Sequence, residues 1–145
     1  MPRGVIGVIS PFNFPLILSM RAVAPALATG NAVVLKPDPR AALTGGFIIA
    51  RIFEEAELPK GVLQVLPGGA EAGEAICVDP DIAMVWFTGS GNVGRRFGEL
   101  AGKHLKKVQL ELGGKNAVIV LDDAYLDAAA SAIAFGAWFI RARFA

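Results

Sequence analysis

Glu111, in the string Val108-Gln109-Leu110-Glu111-Leu112-Gly113-Gly114-Lys115, is a carboxylate set between apolar strand positions and a Gly-Gly turn. An acid at such a place costs stability unless chemistry needs it. A carboxylate held at a strand end can serve as a general base, and Glu111 reads as one. A second constellation lies upstream. Gly89-Ser90-Gly91-Asn92-Val93-Gly94 follows an apolar run and opens a helical one, the context in which this glycine spacing lets backbone amides and a helix's positive end hold a pyrophosphate. In that motif the acid about 20 residues on grips a ribose hydroxyl, and here that acid is again Glu111. Base and ribose ligand are thus competing readings of one side chain, beside the plain one of an exposed acid on an edge strand.

Other reactive side chains are few. The single cysteine, Cys77, and the single histidine, His104, leave no intrachain disulfide and no Cys/His metal cluster. Cys77 lies in a short amphipathic run and reads as a small buried hydrophobe, not a nucleophile. His104, beside Lys103, Lys106 and Lys107, suits the negative end of a helix. A formal charge of +1, with 14 basic and 13 acidic residues intermixed, offers no basic stripe for nucleic acid and favours small neutral or anionic ligands. Sparse cysteine fits a cytoplasmic setting.

These groups need a scaffold. The length of 145 residues suits one domain, and the mean hydropathy of +0.52 is high. No membrane span accounts for it. The longest uncharged run, residues 4–20, is interrupted by Pro11, Asn13 and Pro15 and is shorter than the roughly 20 apolar residues a span needs. Arg21 and the same prolines spoil a secretory signal. Strands covered on both faces explain the hydropathy better. Apolar or β-branched runs at 5–9, 32–35, 62–66, 83–87, 108–112 and 117–121 alternate with helical segments near 15–28, 41–56, 70–78, 92–105 and 126–139. Gly45-Gly46 weakens the second helix. Breakers fall between the runs, at Thr29-Gly30-Asn31, Leu58-Pro59-Lys60-Gly61 and Asp79-Pro80-Asp81. The expected fold is α/β, a doubly wound, mostly parallel Rossmann-like sheet with its ligand beyond the carboxyl ends of the strands.

Four strings occur in sequence at those ends: Ile9-Ser10-Pro11-Phe12-Asn13-Phe14-Pro15, Asn31-Ala32-Val33-Val34-Leu35-Lys36-Pro37, Phe87-Thr88-Gly89-Ser90 and Leu110-Glu111-Leu112-Gly113-Gly114-Lys115. Together they resemble the aldehyde dehydrogenase superfamily over residues 4–139. The resemblance implies that Ile9, Ser10, Lys36, Gly89 and Ser90 contact NAD or NADP, with Lys36 at the adenosine ribose and Ser90 at the pyrophosphate. It makes Glu111 the activator of water, and Asn13 the amide that stabilises the oxyanion formed when a cysteine attacks an aldehyde. The plain alternative for Asn13 is an Asx turn before the next helix. Glu111 favours hydrolysis to a free acid over transfer to coenzyme A, whose users in the family commonly lack this glutamate. Lys115 and Asn116 are assigned a structural role only. The family's usual ribose acceptor, a glutamate three residues after the lysine, is replaced by Pro39, which leaves NAD and NADP both open.

The resemblance stops at the chain's ends. Residues 140–145 do not continue the family's Gly-Gln-x-Cys pattern, and Met1-Pro2-Arg3 leads straight into an apolar run. Residues 1–139 thus read as an NAD(P)-binding portion incomplete at both ends, followed by a divergent tail and without the domain that carries the catalytic cysteine. The whole enzyme would oxidise an aldehyde to an acid through a thioester and be a homo-oligomer, and the isolated chain would be inactive. The string from Leu35 to Arg40 resembles the branch acting on aromatic aldehydes such as benzaldehyde. Two other classes stand beside this one: a non-catalytic dinucleotide-binding module, and a structural or regulatory subunit.

Overall fold

The structure, a computed structural model, describes residues 1–114 and 117–139. Lys115, Asn116 and the divergent tail 140–145 therefore lie outside the described residues. Two compact units are present, Met1–Leu112 and a second beginning at Gly113.

The first unit alternates strand and helix: β1 (Val5–Ile9), α1 (Pro15–Ala28), β2 (Ala32–Lys36), α2 (Ile48–Glu55), β3 (Leu63–Val65), α3 (Ala70–Val78), β4 (Ile82–Gly89), α4 (Gly91–Lys103) and β5 (Lys107–Leu112). All pairings are parallel and the strand order is β3-β2-β1-β4-β5. The chain winds outward from β1 to β3, returns, and winds the other way through β4 and β5. The direction reverses between β1 and β4, so a crevice opens at their carboxyl ends, where ligands of such sheets bind.

Strand alternation sends successive side chains to opposite faces. On one face Ile6, Val8, Val33 and Leu35 pack against Ala22 and Val23 of α1 and Ile49 of α2. On the other, Ile9, Val85 and Phe87 meet Ile76 and Cys77 of α3 and Phe97 and Ala101 of α4. Each fully buried aliphatic side chain of this kind stabilises the fold by about 1.5–3 kcal/mol. Both faces are hydrophobic, which is why the strands read as unbroken apolar runs.

The helix expected over 41–56 forms in pieces. A 3-10 turn at Pro39–Ala41 and a π turn at Leu43–Phe47 precede α2. A Cβ on Gly46 would lie 2.8 Å from Pro37 Cγ and 3.0 Å from Val65 Cγ1. Glycine there lets this helical segment approach the end of β2, so the residue that lowers helix propensity is required by packing.

In the second unit, α5 (Leu126–Ala134) runs into a π turn at Phe135–Phe139. Residues 117–121, expected as a sixth strand, form no strand. An apolar β-branched run suits a pleated surface but does not specify a partner strand, and none pairs with it among the described residues. Also among the described residues, no helix is long and apolar enough to cross a membrane.

Candidate functional site

The Gly-Ser-Gly loop lies where the strand-to-helix context places it, between β4 and α4. Ser90 is the extended N-cap of α4, and its Oγ accepts the Val93 N–H at 3.4 Å while its carbonyl accepts the Gly94 N–H at 2.9 Å. A helix start has four N–H groups without intrahelical partners, and this cap leaves those of Gly91 and Asn92 for a ligand. The glycines have distinct uses. A Cβ on Gly91 would meet nothing nearer than Arg95 Nη1 at 3.9 Å, so the loop is open to an approaching group. A Cβ on Gly94 would fall 2.4 Å from Leu112 Cδ2, and one on Gly89 2.5 Å from the Phe87 ring. Those two glycines let α4 close on β5 and the Phe87 ring stand edge-on to Phe97, with centroids 5.0 Å apart. The open middle glycine and amide-rich helix start fit a pyrophosphate.

Lys36 ends β2, on the rung where Ile9 pairs with it. Only 7% of the residue is exposed, yet among the described residues its ammonium has neither a hydrogen bond nor an ion pair. Burial pushes its pKa down, and the carboxylates of Asp38 and Glu71 partly oppose that. Asp38 turns toward Arg40, which binds it with Nε and Nη2, both at 2.9 Å, and with its backbone N–H at 3.0 Å. The Arg40 hydrogen bond holds the Asp38 carboxyl below its ordinary range. Arg40 also lies over the Phe12 ring, 3.8 Å from its centroid.

Ile9 and Ser10 are occupied structurally through their side chains. Ile9 is buried in the α3/α4 core, and the Ser10 N–H donates to the Lys36 carbonyl at 3.1 Å. Ser19 Oγ has two oxygens in reach, Ser10 Oγ at 2.7 Å and the Gly45 carbonyl at 2.8 Å. A hydroxyl has one proton and a carbonyl only accepts, so Ser19 donates to Gly45 and Ser10 donates to Ser19.

Glu111 pairs in register with Thr88 near the carboxyl end of β5. It is half-buried, and its Oε1 accepts from Gln109 Nε2 at 2.7 Å. Leu110 and Leu112 face α4, so alternation turns Gln109 and Glu111 to the face shared with Met84, Trp86 and α1. Trp86 Nε1 and Thr88 Oγ1, on that same face of β4, are buried without a hydrogen-bond partner among the described residues.

Asn13 is half-buried in the turn between β1 and α1. The next residue, Phe14, caps α1 in the left-handed region at φ 45°, ψ 50°. That conformation costs a non-glycine residue about 1–2 kcal/mol. Pro15 at the first helical position disfavours the right-handed helical region for the residue before it, and the Phe14 carbonyl receives the Leu18 N–H at 3.0 Å. Asn13 and Glu111 thus come to the carboxyl edge on the α1 side. Two strand spacings, about 10 Å, separate their strands. Lys36 reaches the same edge from the α3 side.

Two participants carry no motif. Glu71, in the first turn of α3, accepts the Gly69 N–H at 2.7 Å, in the turn that leaves β3 beside the end of β2, where the Leu66 N–H donates to the Leu35 carbonyl at 2.9 Å. Only its acidic type at a helix start could have flagged it. Gln109 was visible as the residue two before Glu111, hence on the same strand face. Cys77 is fully buried, and burial first, then Glu74, pushes its thiol up to about 11.

The sequence profile of the aldehyde dehydrogenase family matches residues 1–142. The chain belongs to that family. It is 61% identical over 139 residues to a vanillin dehydrogenase of Amycolatopsis sp., covering 96% of this chain and 29% of that protein. It is 60% identical over 136 residues to a benzaldehyde dehydrogenase [NAD(+)] of Pseudomonas putida, covering 94% and 28%. The crystal structure of an NAD-dependent benzaldehyde dehydrogenase from Corynebacterium glutamicum superposes with a TM-score of 0.88 at 51% identity, over 99% of this chain and 31% of that one. The chain spans under a third of the length of these aldehyde dehydrogenases. The resemblance carried by the four strings and the doubly wound sheet are both borne out.

Proposed function

We propose that residues 1–139 are the coenzyme-binding portion of an NAD(P)-dependent aldehyde dehydrogenase and carry its general base. The observation that carries this reading is Lys36: a buried cation without a protein partner, at the same sheet edge as the open start of α4. With the stem enclosed and no group among the described residues bonded to the ammonium, its N–H donors are left for a ligand at that edge. Ribose hydroxyls suit the ammonium of Lys36, and the pyrophosphate suits the amides of Gly91 and Asn92. Bound NAD(P)+ supplies the hydride acceptor.

The Asn13 amide donates to the oxyanion formed when a thiolate adds to the aldehyde carbonyl. After loss of hydride leaves a thioester, Glu111 takes a proton from water. The resulting hydroxide attacks the thioester carbonyl, and the acid and thiolate depart. Gln109 fixes one oxygen of the Glu111 carboxylate and leaves the other for water. The thiolate comes from outside these 145 residues, because Cys77 is enclosed and held protonated. The isolated chain therefore binds coenzyme without turning over aldehyde.

Aromatic aldehydes are the proposed substrates of the whole enzyme, supported by the names of its relatives and by the Leu35-to-Arg40 string. We place that enzyme in the cytoplasm as a homo-oligomer. Titration of the folded chain with NAD and NADP tests the reading, together with an assay for benzaldehyde-dependent NAD(P)H formation. Micromolar-range binding without turnover is expected, and sustained turnover by the pure chain refutes it.

A further inference from the structure

We infer that Glu71 selects NAD over NADP, taking the place of the acceptor missing at Pro39; the inference rests on the proposed seat of the adenosine ribose at Lys36. The Leu66 N–H donates to the Leu35 carbonyl at 2.9 Å, so the turn from β3 into α3 starts beside the end of β2 and brings Glu71 to the neighbourhood of Lys36 and Asp38; the two acids differ in what already holds them. Asp38 is gripped by both arms of the Arg40 fork at 2.9 Å, so its charge is largely answered. Glu71 receives only backbone N–H groups, Gly69's at 2.7 Å and its own. Among the described residues no cation pairs with it in contact, and Lys36 is the one whose charge it feels.

Two consequences follow for a ribose at Lys36. A 2′-hydroxyl is a donor, and a carboxylate fixed by backbone amides is a strong acceptor for it. A 2′-phosphate in the same place brings two negative charges against that carboxylate. The guanidinium that could answer a phosphate is Arg40, which is committed to Asp38 and to the Phe12 ring 3.8 Å away. The sequence around Lys36 leaves the choice of coenzyme open, whereas α3 brings in an acid 35 positions further along the chain.

The test is calorimetric titration of the 145-residue chain with NAD and with NADP at low ionic strength, for the wild type, Glu71→Gln and Glu71→Asp. Gln keeps an oxygen for the Gly69 N–H, so the turn is preserved while the charge is removed. The wild type is expected to bind NADP about tenfold or more weaker than NAD, and Glu71→Gln to narrow that ratio about fivefold, with Glu71→Asp closer to wild type. An unchanged ratio in Glu71→Gln, or equal wild-type affinities, overturns the inference and leaves the coenzyme site standing. Failure of the folded wild type to bind either dinucleotide removes both.

Discussion

Glu111 stands opposite Thr88 on the β4–β5 ladder, one residue beyond the rung that joins Lys36, Ile9, Phe87 and Leu110 across four strands. The carboxylate thus sits at the level where the sheet ends and the crevice begins, on the face of α1 and not of α4. That placement bears on the two readings of this residue. The ribose seat proposed at Lys36 lies on the α3 side of the sheet, whereas Glu111 points away from α4, toward Trp86, Thr88 and the α1 side.

Replacing the matching segment of the Amycolatopsis vanillin dehydrogenase by residues 1–139 is expected to give an active enzyme. In that chimera Glu111→Gln should lower kcat about 100-fold or more while an initial burst of NADH persists, because hydride transfer precedes water attack. Loss of the burst together with kcat contradicts the base assignment. Asn13→Ala should instead remove burst and turnover alike, by about 100- to 1000-fold.

Lys36→Met should weaken NAD binding about tenfold or more and stabilise the free chain. Removing an ammonium that burial of its residue partly desolvates should raise the denaturation midpoint. The pH dependence has a definite sign. Burial lowers the folded-state pKa of Lys36 below its ordinary 10.5, so between those two values the unfolded chain binds more protons and stability rises with pH. Below the lowered value the full cost persists. Denaturant titrations of wild type and Lys36→Met across alkaline pH should show that rise only in the wild type.

The loop glycines should separate binding from folding. Gly91→Ala places a methyl in the open space before α4, so NAD affinity should fall with little change in denaturation midpoint. Gly94→Ala drives a methyl into Leu112 and should destabilise by about 1–3 kcal/mol. Equal effects of the two on stability contradict the division of roles.

Cys77 should react with a thiol reagent only as fast as the fold opens, since it is fully buried and its thiol is pushed up to about 11. Cys77→Ala should leave NAD affinity unchanged. Rapid labelling of the native chain is the contrary result.

Strand and helix were legible wherever an apolar run carried its own breakers. Val5–Ile9, Pro15–Ala28 and Ala70–Val78 have the bounds the pattern implied. Residues 117–121 have the same β-branched character and form no strand, because pairing depends on a neighbour that local sequence does not name. Gly45-Gly46 misled for a related reason: propensity penalises glycine in a helix, while contact with Pro37 and Val65 demands it. In the site, the Gly-Ser-Gly loop and Glu111 announced themselves by motif. The burial of Lys36, the turning of Asp38 to Arg40 and the arrival of Glu71 from α3 are tertiary facts, and no spacing encodes them.

The most direct measurement is an amide-resolved NMR titration of the 145-residue chain with NAD. Saturable shifts should concentrate at Gly91 and Asn92 and at the residues flanking Lys36. Absence of saturable shifts in a folded sample, or shifts confined to the opposite sheet edge around Asp79 to Ile82, would contradict a coenzyme site at the β1–β4 crevice.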